Sequence, residues 1–352
     1  MRAAFDRDQE DFAGQFRSFC EKECPPSAVR AAWTSEVGFS RERWGKLAEL
    51  GVLGIGVPEE LGGIGRGEVE LAALLEVAGW AAMPEPVLET MAMAVPLLRE
   101  CASGPGARVA REWLALIAAG EAVVTVGPEP AWASGATGSQ LTTVLPGADM
   151  VLVAGSNGVV AVPSEACGIV ARRALDGTRR LAEVSFDPAA ATVLAGPDEA
   201  HASLGKLADQ AACGSAALLV GLSSRLLGMA VGHAGERRQF GRQIGSFQAV
   251  KHKLSDVALR IELARPAVWY AAWQLANQGA EASQAASVAK ALAAEAATAA
   301  ASASLQVHGA IGYTAEHDLH LWMKRSWALA SWWGDAAYHR SRVLQSLIAR
   351  AE

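Results

Sequence analysis

Apolar residues recur at steps of three and four over most of this chain, and gather into short β-rich runs only in its middle. The clearest stripe is Phe247, Val250, Leu254, Val257, Ile261, Ala264 and Val268, with Lys251, Lys253 and Arg260 off it. Steps of this kind line one face of a long helix. Leu219, Leu222, Leu226 and Met229 form a second stripe one helix earlier, and residues 281–307 are rich in alanine, which permits close helix packing. Seams like these predict a helical bundle over residues 201–352. Residues 1–121 also read as helical. Helical spacing runs from Arg41 to a stop at Gly51, VPEELGGIGRG (57–67) is a loop, and ELAALLEVAG is a helix that Gly79 would end. Pro84 and Pro86 break the chain, and a further helix closes at WLALIAAGE (113–121). Between 122 and 200 the runs VVTVG, LTTVL, MVLVAG, GVVAVPS and LAEVSFD are separated by Gly, Asp, Asn and Pro. That pattern predicts a small antiparallel sheet or barrel. The expected architecture is mainly α with a β insert: an N-terminal helical domain (1–121), a middle β domain (122–200) and a C-terminal four-helix bundle (201–352).

Composition narrows the functional classes. Of the 352 residues 51% are hydrophobic, yet no uninterrupted apolar run reaches the ~18 residues of a membrane span. The opening MRAAFDRDQEDFAGQF is charged throughout, without the apolar stretch of a signal peptide, so a cytoplasmic address is expected. A net charge of −6 with well-mixed signs gives no nucleic-acid surface, although a local basic cluster could serve a phosphate-bearing ligand. Cys20, Cys24, Cys101, Cys167 and Cys213 are scattered, and no second pair completes a zinc site. His317 and His320 could share a helical face with His308 nearby, but no carboxylate cluster beyond Glu316 and Asp318 joins them, so no metal is expected. Four of the eleven tryptophans lie between Trp322 and Trp333, a density that suits a core, a pocket or an interface.

Two segments carry candidate chemistry. In ERRQFGRQIGSFQAVKHKLSD (236–256), Arg237 and Arg238 close a helix that the Phe240-Gly241 turn breaks. A guanidinium fixed there can grip a diphosphate with paired hydrogen bonds. Gln248, placed about two turns into the next helix, is in reach of the same ligand. In QVHGAIGYTAEHDLHLWMKR (306–325), Gln306 offers an amide, and Gly309 and Gly312 let a phosphate or ribose approach the main chain.

Both segments resemble signatures of the acyl-CoA dehydrogenases, and WGKLAELGVLGIGVPEELGGIG (44–65) resembles a third, so the likeness runs in order along the whole chain. The family's α–β–α layout matches the one read above. The resemblance implies α,β-desaturation of an acyl-CoA thioester with FAD as cofactor. It implies that Arg237, Gln239, Phe240, Phe247, Gln248 and the stretch Gln306, Val307, His308, Gly309 and Ala310 hold the diphosphate and adenosine end of FAD across a subunit interface. It also implies electron-transfer flavoprotein as the acceptor.

The chemistry needs a carboxylate held over the substrate, opposite the flavin. Family spacing from Gln306 puts the usual base at Trp333, with the following Gly334 in place; spacing back from Phe240 puts the alternative base at Ala211. Two acidic substitutes stand near. Asp335 is expected to cap the last helix, and Asp209 lies two residues from the alternative position, a rotation of about 200° on a helix. The flavin-seating segment of the middle domain leaves only Glu129-Pro130 as a trace within VGPEPAWASGATGSQ (126–140). Lost base positions and flavin seat beside kept diphosphate motifs resemble the short subunit of actinobacterial heteromeric (α2β2) acyl-CoA dehydrogenases, whose larger subunit carries the catalytic Glu. Those enzymes act on CoA thioesters of steroid side chains and other bulky acyl groups. Two other readings stay open: a self-sufficient homo-oligomeric flavoenzyme using Asp335 or Asp209, and a non-enzymatic scaffold of the same fold.

Overall fold

The structure, a computed structural model, describes residues 7–127, 140–142, 147–155 and 158–351. The chain forms two compact units: Met1–Arg30, Ala72–Met83 and Ser215–Glu352 make one, and Ala31–Leu71 with Pro84–Gly214 make the other.

The first unit is helical. It contains α1 (Arg7–Glu23), most of α4 (Glu68–Trp80), the second half of α7 (Pro197–Glu236), α8 (Gln248–Ala276), α9 (Ala282–His308), α10 (Leu319–Ser331) and α11 (Ala336–Ala351). The predicted stripe forms the inner face of α8: Val257, Ile261, Ala264 and Val268 are buried, whereas Lys251, Lys253 and Arg260 are exposed. The α7 stripe is buried at Leu219, Leu222 and Leu226. α8 and α9 pair along their lengths, and α9 buries a row of alanines from Ala285 to Ala303. Small side chains there let helices approach closely at interior packing density. The glycine expected to end α4 does something else. A Cβ on Gly79 would overlap the Leu218 carbonyl, and one on Gly221 would overlap the Glu76 carbonyl oxygen and crowd Trp80 N. These two glycines permit α4 and α7 to touch backbone to backbone, and α4 continues to Trp80.

The second unit holds the end of α2 (Pro26–Thr34), α3 (Arg41–Glu49), a buried π-helix (Leu88–Ala94), α5 (Val95–Cys101) and α6 (Ala107–Ala118) beside two sheets. One sheet has the order β1-β3-β4-β7, from Val124–Val126, Met150–Gly155, Gly158–Pro163 and Thr192–Ala195; the other is β2-β6-β5, from Gln140–Thr142, Leu181–Phe186 and Cys167–Arg172. Pairing is antiparallel except between β1 and β3, which run parallel with Val124 opposite Met150. Val151 and Val153 of β3 face Ala182 and Val184 of β6 to make the core between the sheets. β5 and β7 were not expected as strands. β5 is mostly exposed and β7 half so, although both are apolar in sequence: Ile169, Val170 and Val193 lie on the surface. The π-helix was also missed: Pro84 and Pro86 precede it, and its Glu89 pairs with Arg179 at 2.9 Å while Thr90 Oγ1 donates to Val124 O at 2.8 Å. These tertiary partners meet the two polar side chains of a helix turn buried at every position.

α7 is long and apolar enough to cross a bilayer, and most of its apolar stretch is buried inside the fold, as in a core helix. All five cysteines are free thiols, four of them buried. Among the described residues no group of His, Cys, Asp and Glu is placed to hold a metal ion.

Candidate cofactor site

The site begins where α7 ends. Arg237 N–H donates to His233 O at 2.8 Å, and the chain then turns back as a two-stranded hairpin, β8 (Arg238–Gln239) against β9 (Arg242–Gln243). Its corner residues, Phe240 (φ 51°) and Gly241 (φ 76°), are both left-handed, as a tight two-residue hairpin requires. Glycine meets that need freely; phenylalanine does not. Ile244 N–H donates to Arg237 O at 2.9 Å and closes the hairpin. Arg237, Arg238, Gln239, Phe240 and Arg242 are all exposed, Phe240 at 90%. The Phe240 ring meets Phe247 edge-on at 6.1 Å, and the Arg242 guanidinium lies 4.0 Å from the Phe247 ring centre. Gln248 departs from expectation: it is the first residue of α8, not two turns in, because Phe247 is extended (ψ 133°) and the preceding Ile244–Ser246 is a separate short turn. The exposed Gln248 amide therefore sits at the positive end of the α8 dipole.

The second segment ends α9. Gln306 and Ala310 are exposed, and Val307 is buried against Ala230, Ala234, Ile244, Val250 and Leu254. That cluster joins the Gln306–Ala310 stretch to the hairpin. His308 is also buried. Its ring stacks on His233 with centroids 4.4 Å apart and meets His317 edge-on at 4.8 Å. Of the predicted site residues, then, Val307 and His308 are buried. Gly309 (φ 66°, ψ −141°) adopts a conformation reserved for glycine, and a Cβ there would point into open space. Gly312 is different, since a Cβ would press on His308, Leu305 and Leu319. The loop that follows is clamped by Arg30, whose guanidinium donates to Ala315 O at 2.6 Å, Glu316 O at 3.0 Å and Asp318 Oδ1 at 2.8 Å. Neither Arg30 nor His233 stood out in the sequence, because their partners lie far along the chain.

Burial pushes the His233 imidazole below the ordinary histidine range, with His317 and Arg237 adding to the shift. Burial lowers His308 as well, partly opposed by its hydrogen bond to Ser304 O.

The two positions that family spacing assigns to a base are also described. Trp333 is buried at a left-handed φ of 57° and is followed by Gly334 at 96°. Its carbonyl accepts from His339 Nε2 at 2.8 Å, and its indole N–H finds no acceptor among the described residues. Ala211 is fully buried on α7 and Asp209 nearly so. Asp335 is exposed, and its Oδ1 accepts from Tyr338 N–H at 2.8 Å, the cap of α11. Residues 128–139, which carry the Glu129-Pro130 trace, lie outside the described residues.

Comparison with known proteins now decides the family. The acyl-CoA dehydrogenase N-terminal domain model matches residues 6–121 and the C-terminal domain model residues 206–348. The chain belongs to the acyl-CoA dehydrogenase family. It is 34% identical to acyl-CoA dehydrogenase IpdE2 of Mycolicibacterium smegmatis over 307 residues, 87% of this chain and 88% of that protein. It is 30% identical to acyl-CoA dehydrogenase FadE27 of Mycobacterium tuberculosis over 88% of this chain and 89% of that one. Among solved structures it superposes on the Tcur3481–Tcur3483 steroid ACAD with a TM-score of 0.85, at 26% identity and covering 98% of each chain. It superposes on the ChsE4–ChsE5 complex from Mycobacterium tuberculosis with a TM-score of 0.86, at 25% identity and covering 99% of each chain. Acyl-CoA dehydrogenases are FAD-dependent oxidoreductases acting on CH–CH groups, and the exposed residues fit that cofactor. Three guanidinium groups (Arg237, Arg238, Arg242) and three amides (Gln239, Gln248, Gln306) make a donor set for a diphosphate. The open Gly309 backbone leaves room for close approach.

Proposed function

We propose that this acyl-CoA dehydrogenase chain is the base-lacking subunit of a heteromeric enzyme, completing an FAD site seated mainly on a larger partner subunit that carries the catalytic Glu. One contrast carries the reading. The diphosphate-gripping segments are intact, joined to one another and exposed, whereas the turn that aligns with the usual base presents a buried indole. An indole has no lone pair free to take an α-proton, since its nitrogen electrons belong to the ring. The substitutes do not repair the loss. The Asp335 carboxylate is engaged in capping α11, and Asp209 is buried.

In this reading Arg237, Gln239, Gln248 and Gln306 bind the diphosphate and adenosine end of FAD, and Phe240 and Phe247 cover it. Bound FAD supplies the hydride acceptor for α,β-desaturation of an acyl-CoA. The chain's own contribution is binding and orientation, worth rate only through the geometry it imposes on the shared site. The likeness to a steroid ACAD supports a bulky acyl group, such as a steroid side chain, as substrate, and the likeness to a two-protein complex supports a heteromer. Electron-transfer flavoprotein is the proposed acceptor, and the cytoplasm the proposed compartment.

The test is the visible absorption spectrum of the purified chain, alone and co-expressed with a base-bearing partner. Colourless alone and yellow only in complex, with one flavin per pair of chains, is the expected result. A chain that is yellow alone, with one FAD each, would overturn the reading and make Asp335 the residue to replace.

A further inference from the structure

Three histidines stand where the two cofactor segments meet, and the proposed function uses none of their rings. His233 lies on the last turn of α7, where its carbonyl takes the Arg237 N–H. Its ring is stacked on that of His308 at 26° between planes. His308 Nδ1 lies 2.7 Å from Ser304 O; a carbonyl only accepts, so this nitrogen carries the proton and the neutral ring keeps Nε2 bare. His317 meets His308 edge-on at 66°, and its Nδ1 accepts from Leu319 N–H at 3.1 Å. The trio thus links the end of α7, the end of α9 and the loop that Arg30 clamps.

We infer that His233 is a positioning residue for the cofactor: its ring, stacked on His308, holds Arg237 and Gln239 in register with Gln306 and the Gly309 backbone. This inference rests on the proposed FAD role of these segments and adds a residue to it. The backbone geometry gives the stack its leverage. Arg237 follows His233 by one helical turn and is hydrogen-bonded to it, while Gly309 directly follows His308. A tilt of either ring therefore moves a cofactor-binding group.

The stack also carries a sign. Burial holds both rings toward the neutral form. The groups acting on His233 are His317, Arg237 and Glu236; those acting on His308 are His233 and His317. The neighbouring apolar cluster around Ala230, Ala234 and Val307 adds Ile244, Val250 and Leu254, none of which titrates. The contact is therefore fully present above the ordinary imidazole pKa of about 6.5 and is lost as pH falls on through the lowered values of the two rings, when a second proton would set two like charges face to face.

The experiment uses the co-expressed complex and follows FAD release by flavin fluorescence between pH 7.5 and pH 5.5. Wild type is expected to bind FAD more weakly at pH 5.5 than at pH 7.5. His233→Phe keeps a flat ring without a titrating nitrogen, and should match wild type at pH 7.5 and lose most of the pH dependence. His233→Ala should bind about tenfold more weakly at pH 7.5, with an unchanged thermal melt as the control for folding. In the isolated chain, NMR titration of the histidine ring protons should show His308 moving toward its ordinary value in His233→Phe. If wild type binds FAD and both variants match it at both pH values, His233 positions nothing and the shared-site reading stands. If the wild-type complex holds no FAD at any pH, the shared-site reading falls and this inference falls with it.

Discussion

Lys290 is fully buried, and its ammonium group donates to Leu329 O at 2.9 Å, Ala330 O at 3.1 Å and Gly334 O at 3.1 Å. It ties α9 both to the last carbonyls of α10 and to the Trp333-Gly334 turn, where two successive residues are left-handed. Lys290→Met keeps the length of the stem and removes the donor. The Leu329 carbonyl would then be buried without this partner, at about 1–3 kcal/mol, and the other two carbonyls, closer to water, would cost less, about 0.5–1 kcal/mol each. Relief from burying a charge offsets part of that sum. A net loss of about 3 kcal/mol is expected. Over 352 residues, an unfolding entropy of about 2.1 cal/mol/K per residue turns ~3 kcal/mol into a melting shift of roughly 4 °C. Calorimetry measures the shift, and hydrogen exchange by mass spectrometry should show faster exchange in the peptide spanning residues 329–336. A variant that melts within a degree of wild type with unchanged exchange there would refute the reasoning, because the three bonds would then contribute nothing net.

Three further outcomes are expected. On α7, Gly221→Ala should destabilise by about 1–3 kcal/mol through overpacking against Glu76 O, whereas Gly228→Ala, with nothing near its Cβ, should stabilise by about 0.5–1 kcal/mol; urea unfolding of the pair reads both signs. Arg237→Ala should weaken FAD binding by the co-expressed complex by about 1.5–3 kcal/mol and leave the melting temperature unchanged, since the side chain is exposed; isothermal titration with FAD checks it. Burial lowers His339 to about 4. The folded chain therefore takes up fewer protons than the unfolded one as pH falls from about 6.5 toward 4, and loses at most about 3 kcal/mol across that window. His339→Gln, which keeps an N–H donor for Trp333 O without a titrating ring, should flatten the acid limb of the stability-versus-pH curve.

How far each feature could be read in advance followed the distance between the residues that make it. The α8 stripe, the α7 stripe and the alanine row of α9 are local periodicities, and each became a buried helix face. Asp335 as a cap was equally local, since the bond it makes reaches only to Tyr338. Gln248 was misplaced because the end of a short turn and the start of a helix look alike in sequence; the extended Phe247 separates them. β5 and β7 escaped although they carry Ile169, Val170, Val193 and Leu194, because runs this short become strands only through their partners β6 and β4. The π-helix escaped because its polar residues are satisfied by Arg179 and Val124, which nothing nearby in sequence announces.

By itself the sequence determined the order of helical and β segments, the family, and that Trp333 and Ala211 stand where family spacing leads one to expect a carboxylate. Each of these depends on residue identity at fixed spacing, which the covalent chain records directly. Only the tertiary structure decided that the hairpin after α7 and the end of α9 share one apolar cluster, that His308 turns its ring inward onto His233, and that Lys290 holds the Trp333 turn. Those contacts join residues brought together by packing, and their energies depend on burial and geometry that no local pattern encodes.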